Sequence, residues 1–483
     1  MTKATGRRQW SIATDRLAIV AADGVFTYYD LAVAARRVAA DLRQGAGDLK
    51  ESRVAFLVPP SFAHVVVARG IWVAGGVAVP LAVSHPPAEL EHVVRDSGAS
   101  IVVGSGRQAA ALEAIATTVG ARFIRTPDLL AADADPLPDV LPEPARRAMI
   151  VYTSGTTGKP KGVVTTHANM AAQIASLLAA WEWSASDRAL LVLPLHHVHA
   201  VVNVLGCALA AGASCEILPQ FDPESAWERL SSGEITVFSA VPTIYHRLIA
   251  SWDAAPPRLQ RARAAGSAGV RLMMSGSAAL PLRTLERWRE ITGHTLLERY
   301  GMTELGMVLS NPLHGERRPG FVGGPLPGVG VRLVDGEIEV RGDGVFLEYW
   351  NRHEDTAAAF HDGWFRTGDV AVVEDGAYRL LGRRSVDIIK TGGYKISALE
   401  IEDAIRTCPG VLDSAVIGVA DPEWGERVCA VIELAPGAQV SLEDLQRWVA
   451  PTLAPYKVPR QLRTMAALPR NALGKVVKTQ LGS

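Results

Sequence analysis

The feature that most restricts this chain is an alternation. "RVAFLV" (53–58) has the length and apolar content of a buried strand. It is followed by the helical "FAHVVVARGIWVAGG" and then by "VAVPL". The same order recurs in "SIVVGS" before "QAAALEAIATTVG", and in "RAMIVYTS" before "HANMAAQIASLLAAWEW". Strand–helix alternation of this kind predicts an α/β architecture with largely parallel sheets. A Pro/Asp-rich stretch, "LAADADPLPDVLPEPA" (130–145), reads as a connection before the strand at 148–153. The texture changes after about residue 330. "VRLVDGEIEVRG" and "VAVVEDGAYRLLGRR" alternate in polarity and carry Asp-Gly pairs, which predicts antiparallel hairpins. Beyond "GRRSVD" come a Gly-Gly loop, the helix "SALEIEDAIRT", the strands "DSAVIGVA" and "RVCAVIEL" and the helix "SLEDLQRWVAPTL". The expectation is a large domain over 1–384 and a small α+β domain over 385–483, with no internal repeat.

The 483 residues are too many for a single core. A formal net charge of −1 supplies no global field for nucleic acid or an acidic membrane, and no apolar run has the length of a membrane span. The opening "MTKATGRRQWSIATD" lacks the apolar block of a secretory signal; its arginines leave an organellar transit peptide as the lesser reading beside a cytoplasmic protein. The four cysteines, Cys207, Cys215, Cys408 and Cys429, form no CxxC pair and sit in apolar surroundings, so buried free thiols are expected.

"VYTSGTTGKPKG" (151–162) ends a strand and continues in glycine, hydroxyl and lysine. Glycines let main-chain N–H groups approach an anion, hydroxyls add donors and lysine adds charge. The common P-loop needs Ser or Thr after its lysine; here Lys159 precedes Pro160. A phosphate cradle and a solvated connection are both open on composition alone.

The ordered motifs narrow this. "YTSGTTGKPKG", "RYGMTE", "WFRTGD", "GRRSVDIIKTGGYKISALEIE" and "PRNALGKVVKTQL" follow one another along the chain. Together they resemble the adenylate-forming superfamily of acyl-CoA synthetases, adenylation domains and luciferases. "TYYDL" and "GGVAVPL" fit its N-terminal part. "LPLHHVHAVVNVL", "SGSAALP" and "LERYGMTELGMVLSNPL" look most like its malonyl-CoA synthetase branch, apart from Ala200, where that branch usually has glycine. The resemblance implies a large domain of packed mixed α/β sheets plus a β-barrel-like part, and a small mobile α+β domain. It implies a free-standing ligase, monomer or weak homodimer, that uses ATP, Mg²⁺ and coenzyme A and alternates between domain orientations.

Roles follow residue by residue from the resemblance. Thr153, Ser154, Gly155, Thr156, Thr157, Gly158, Lys159 and Lys161 would hold the β- and γ-phosphates. Ser275, Gly276, Ser277 and Ala278 would lie between adenine and acyl group. Tyr300, Gly301 and Met302 would run beside the nucleotide, with Tyr300 near adenine. Thr303 would reach the α-phosphate and Glu304 would bind Mg²⁺. Asp369 and Arg383 would hold the ribose, and Lys475 would bridge the substrate carboxylate and the α-phosphate. Gly392, Gly393 and Tyr394 would line the coenzyme A channel, with a hinge near Ser385. His197 would contact the reacting carboxylate.

The acid itself rests on Arg299. A second carboxylate buried without a partner would cost several kcal/mol. Arg299 ends a strand-like run, where ligands of α/β sheets collect, and a guanidinium matches a carboxylate bidentately. The plainer reading is an ion pair with Glu298 or Glu304, yet Glu298, adjacent on a strand, is expected on the opposite face. Ser277 and Met302 would complete an acyl pocket for malonate or methylmalonate. The alternatives are a synthetase for another short acid, with Arg299 structural, and a non-catalytic nucleotide-binding homologue; Lys475, Glu304 and Asp369 together argue against the last.

Overall fold

The structure, a computed structural model of the chain, describes residues 14–132, 134–138, 142–153, 160–384, 386–391, 394–422, 424–471 and 474–482. Two large sheets carry the expected alternation. In one, the strands Leu297–Met302, Leu272–Ser275, Val237–Ala240, Arg188–Leu191, Ser214–Ile217 and Leu17–Ala21 lie side by side in parallel, with antiparallel strands at both edges. In the other, Arg147–Thr153, Val77–Pro80, Arg53–Leu57, Ile101–Gly104 and Arg122–Arg125 are parallel neighbours. Lys161–Thr166 folds back antiparallel on Arg147–Thr153, so the glycine-rich segment leaves and re-enters the sheet at one end.

The main core fills the space between these sheets. Phe56, Ala78 and Met149 from one meet Leu190, Cys215 and Phe238 from the other, with Val66, Ile174 and Leu177 from the helices Phe62–Val73 and His167–Trp181. Those helices start where hydroxyls cap them: Ser61 accepts from His64 N, and Thr166 forms a reciprocal capping box with Asn169.

The antiparallel hairpins expected after residue 330 form a five-stranded sheet: Gly330–Val334, Glu337–Arg341, Trp364–Glu374 and Phe360–His361 in order, with Ala377–Arg383 also on Trp364–Glu374. Its hairpins turn at Asp335–Gly336 and Asp375–Gly376, where both residues of each pair have positive φ (50° and 78°, 51° and 79°), the geometry that Asp-Gly favours. The last sheet, Tyr394–Ser397, Ile388–Thr391, Gly425–Leu434 and Val411–Asp421 with Gln461–Met465 alongside, has its own core of Ile389, Ile401, Ile405, Val416, Ile432, Leu445 and Val449. The change of sheet falls between Arg383 and Ile388, at "GRRSVD". All four cysteines are buried and free. Among the described residues no helix is long and apolar enough to cross a membrane.

Candidate active site

Parallel strands bring their C-terminal ends to one edge, and the candidate residues gather there. Arg299 lies near the end of Leu297–Met302, next to Leu272–Ser275, whose chain runs on into Gly276 and Ser277. Arg299 is 3% exposed. Its Nη2 meets His199 Nε2 and lies 3.4 Å from Ser239 Oγ. Its Nε and Nη1 are buried without a hydrogen-bond partner among the described residues. Burial pushes the guanidinium down to about 10, still charged at neutral pH. Gly276 makes the close packing possible: a Cβ there would stand 2.0 Å from Arg299 Nη1.

Neither alternative ion pair forms. Glu298 faces the other side of the strand, as pleating requires, and accepts from Gly320 N at 2.9 Å. Burial pushes its carboxyl up to about 8, with Asp403 adding to the effect. Glu304 accepts instead from the Tyr349 hydroxyl at 2.9 Å.

His199 ties the acyl end together. Its Nε2 is 2.8 Å from Ser239 Oγ and its Nδ1 is 3.3 Å from Ser277 Oγ. Burial first, then the Arg299 charge, hold it well below the usual imidazole value, so it is neutral. A neutral ring offers Arg299 a lone pair at Nε2 and leaves the proton on Nδ1, toward Ser277. Ser277 itself is held at φ +67°, a left-handed value for a side-chain-bearing residue, and such strain collects at ligand sites. The His197 and His196 rings lie 4.0 Å apart, tilted by 46°, each with a buried Nε2 that has no partner among the described residues. Burial pushes His197 down to about 4. Ser275 pairs in register with Glu298, so it stands on the face away from Arg299.

The nucleotide side forms a second group. Tyr300 donates to Asp369 Oδ2 at 2.6 Å, and Arg383 Nε donates to Asp369 Oδ1 at 3.1 Å. The Tyr300 ring packs with Leu305, Phe346 and Phe365, so the residue expected beside adenine is fixed at both ring and hydroxyl. Arg384 is half-exposed and donates to Asp335 O. Glu304 is 7% exposed, and burial raises its carboxyl above the ordinary glutamate value. Lys161 pairs with Asp355 at 2.9 Å and lies 5.5 Å from the Tyr349 ring centre. Thr303 and Met302 are partly exposed between the two groups, and Thr153 stands opposite Lys161.

Lys475 reaches this edge from the small sheet. It is exposed on a closed turn, with its N–H on Asn471 Oδ1 at 3.0 Å, and Gly474 beside it abuts Thr243, at the start of the helix that follows Val237–Ala240. Six of the phosphate-loop residues expected from the sequence, 154–159, lie outside the described residues, as do Ser385, Gly392 and Gly393. Sequence reasoning missed Ser239, Tyr349 and the part His199 plays. Ser239 was within reach as the lone hydroxyl near the end of an apolar strand; Tyr349 in "FLEYWN" carries no such signal.

Comparison with known proteins bears on this arrangement. Residues 7–350 match the family model described as "AMP-binding enzyme", and residues 400–475 match its C-terminal domain. The chain belongs to the AMP-binding enzymes. The family resemblance read from the motifs is thereby borne out, with the mixed α/β fold. Among curated AMP-binding enzymes, the mitochondrial malonate–CoA ligase of Xenopus laevis is 44% identical over 97% of this chain and 89% of its own. Among solved ones, ATP-bound MatB from Rhodopseudomonas palustris superposes with a TM-score of 0.89 at 35% identity, over 97% of this chain and 95% of its own. A malonyl-CoA ligase ternary product complex with methylmalonyl-CoA and AMP gives 0.70 at 40% identity, over 96% and 100%.

Proposed function

We propose that this AMP-binding enzyme ligates malonate to coenzyme A through a malonyl-adenylate, releasing pyrophosphate and AMP. The observation that carries malonate is Arg299: a buried cation with two N–H groups unpartnered, beside His199, Ser239 and Ser277. Such a pocket penalises a monocarboxylate, which leaves the charge unanswered, and fits a second carboxylate bidentately. The full-length similarity to malonate–CoA ligases supports the same reading.

In the first half-reaction one malonate carboxylate attacks the α-phosphorus of ATP. Arg299 and Ser277 hold the other carboxylate, so the nucleophile enters in one orientation. The Lys475 ammonium lies between two anions and offsets their repulsion, and Thr303 donates to the α-phosphate. Asp369, fixed by Tyr300 and Arg383, accepts from the ribose hydroxyls. Lys161 and the residues around it neutralise the departing pyrophosphate. Catalysis of this kind is mostly positioning and charge neutralisation.

Glu304 fits Mg²⁺. Among the described residues its buried carboxylate accepts one side-chain hydrogen bond, from Tyr349, and there is no cluster of three metal-ligating side chains. One carboxylate, with waters and substrate phosphates, is the usual holding of this cation, which neutralises phosphate charge when bound.

We further place the division into moving units at 384/385. The ATP-bound relative overlaps this chain more fully than the product-bound one, although the latter is closer in sequence. That pattern fits a small domain that takes two orientations, with this chain in the one seen with ATP. After adenylation Lys475 withdraws and the loop at Gly392, Gly393 and Tyr394 turns in to line the path of the coenzyme A thiol.

The test is coenzyme A-dependent AMP release with acetate, propionate, malonate, methylmalonate and succinate. Malonate should give the highest kcat/KM, by at least about 100-fold over propionate, the scale of one unanswered buried charge. A preference for propionate or acetate would overturn the assignment of the acid and leave the ligase.

A further inference from the structure

The turn that presents Lys475 is fastened by charge at both ends, buried at one and partly exposed at the other. On one side, Lys478 Nζ lies 2.5 Å from Asp387 Oδ1 and 2.6 Å from Glu402 Oε1, and all three side chains are at least 88% buried. On the other, Arg470 pairs with Asp413 and donates to Gly474 O at 2.9 Å. Arg406 joins the two sides, with Nη2 on Glu402 at 3.2 Å and Nε on Asp413 at 2.8 Å. Burial disfavours charge on Lys478 and Asp387, yet the facing charges outweigh it: the lysine stands above its ordinary value and the aspartate below.

Asp387 also reaches back across the junction to Ala377–Arg383, the last strand of the preceding antiparallel sheet. Its Oδ2 accepts from Arg383 N at 2.9 Å, while Asp387 N donates to Arg383 O at 2.7 Å. Arg383 in turn holds Asp369. A continuous series of contacts therefore runs Asp369–Arg383–Asp387–Lys478 and reaches Lys475 three residues before Lys478. Gly382 is part of the fit: a Cβ there would stand 2.3 Å from Asp387 Cβ, and its φ of +118° suits glycine alone. The closure from Arg383 to Asp387 spans the junction between the two sheets, whereas the Lys478 pairs lie wholly on the small one. Turning the small sheet must break the first and keep the second.

We infer that Asp387 and Lys478 are positioning residues for adenylation: through the Arg383–Asp387 closure they lock the Lys475 turn against Thr243 and the substrate edge, and release it when the small domain turns. This rests on the reading of Lys475 as the residue that carries the first half-reaction. A buried ion pair adds little net stability, but it fixes geometry, and here the geometry fixed is that of a catalytic ammonium.

The test separates the half-reactions in the full chain. Adenylation is followed as malonate-dependent exchange of labelled pyrophosphate into ATP, and thioester formation from supplied malonyl-AMP and coenzyme A. Lys478→Met should lower the exchange kcat about 100-fold, the usual result of misplacing a reacting group by about 1 Å, with the KM values for ATP and malonate and the thioester step little changed. Lys478→Arg, which reaches both carboxylates, should restore exchange. Asp387→Asn, which keeps an acceptor for Arg383 N but drops the charge, should give the same split in milder form. Equal loss in both half-reactions across these variants, no loss in either, or failure of arginine to rescue would overturn the inference. Lys475→Ala is the control for the underlying reading. If it abolishes exchange while Lys478→Met does not, only the positioning role falls; if Lys475→Ala leaves exchange intact, the assignment of Lys475 falls.

Discussion

Arg299→Met is predicted to move activity and stability in opposite directions. Without substrate, Arg299 buries a charge and leaves Nε and Nη1 unpaired. Each unsatisfied buried N–H costs about 1–3 kcal/mol. Methionine has a similar length and no polar hydrogens, and His199 Nε2 keeps Ser239 Oγ at 2.8 Å. The substrate-free enzyme should therefore gain about 1–4 kcal/mol, as when buried ionic groups are replaced by apolar ones of similar volume. Malonate should suffer. Removing one partner of a buried charge pair costs about 2–5 kcal/mol, so kcat/KM for malonate should fall about 30- to 5,000-fold, at about 1.4 kcal/mol per factor of ten. Propionate and butyrate should hold or improve, because their apolar ends then meet an apolar wall. The assay is AMP release over the acid series, with urea denaturation of the substrate-free protein alongside. A malonate kcat/KM within about threefold of the parent enzyme, or equal loss for every acid, would refute the reasoning, since either outcome separates Arg299 from substrate choice.

Two further perturbations use neighbouring geometry. Gly276→Ala places a methyl against Arg299 Nη1, 2.0 Å away before relaxation, and should raise the malonate KM about 10- to 100-fold while propionate changes little; steady-state kinetics with both acids checks it. Glu298→Gln keeps an acceptor for Gly320 N and removes a titrating group. The carboxyl is raised from 4.5 to about 8 by burial, so its contribution to stability is full below about 4.5 and is lost as pH rises through about 8. The parent protein should thus lose up to about 5 kcal/mol across that window from this group, and the variant should show a flatter profile in denaturation measured from pH 5 to 9. Parallel profiles would remove Glu298 as the cause.

Much of this site is legible in the chain because its signals are local. Strand–helix alternation gives the parallel sheets, Asp-Gly pairs give the hairpins, and pleating alone puts Glu298 and Arg299 on opposite faces. What surrounds Arg299 is not local. His199 stands 100 residues away and Ser239 60 residues away, and only the order of strands in the sheet makes them neighbours. Tyr349 reaches Glu304 because a two-residue strand pairs with Lys161–Thr166, a pairing too short to leave a periodic pattern. Lys478 in "GKVVK" reads as a solvated charge in a polar tail. Its carboxylate partners are 91 and 76 residues upstream, and it is burial in their company that changes its meaning.

The burial of every thiol has a practical consequence. Cys207, Cys215, Cys408 and Cys429 are the chain's whole complement, and burial pushes each thiol above its ordinary value. Little thiolate is available at neutral pH, so maleimide dyes should find a blank background. Cysteines introduced at Leu259 and Leu412, 41% and 54% exposed, would then be the only reactive pair, one on each unit. Energy transfer between fluorophores at those two points would read the orientation of the small domain directly, turnover by turnover.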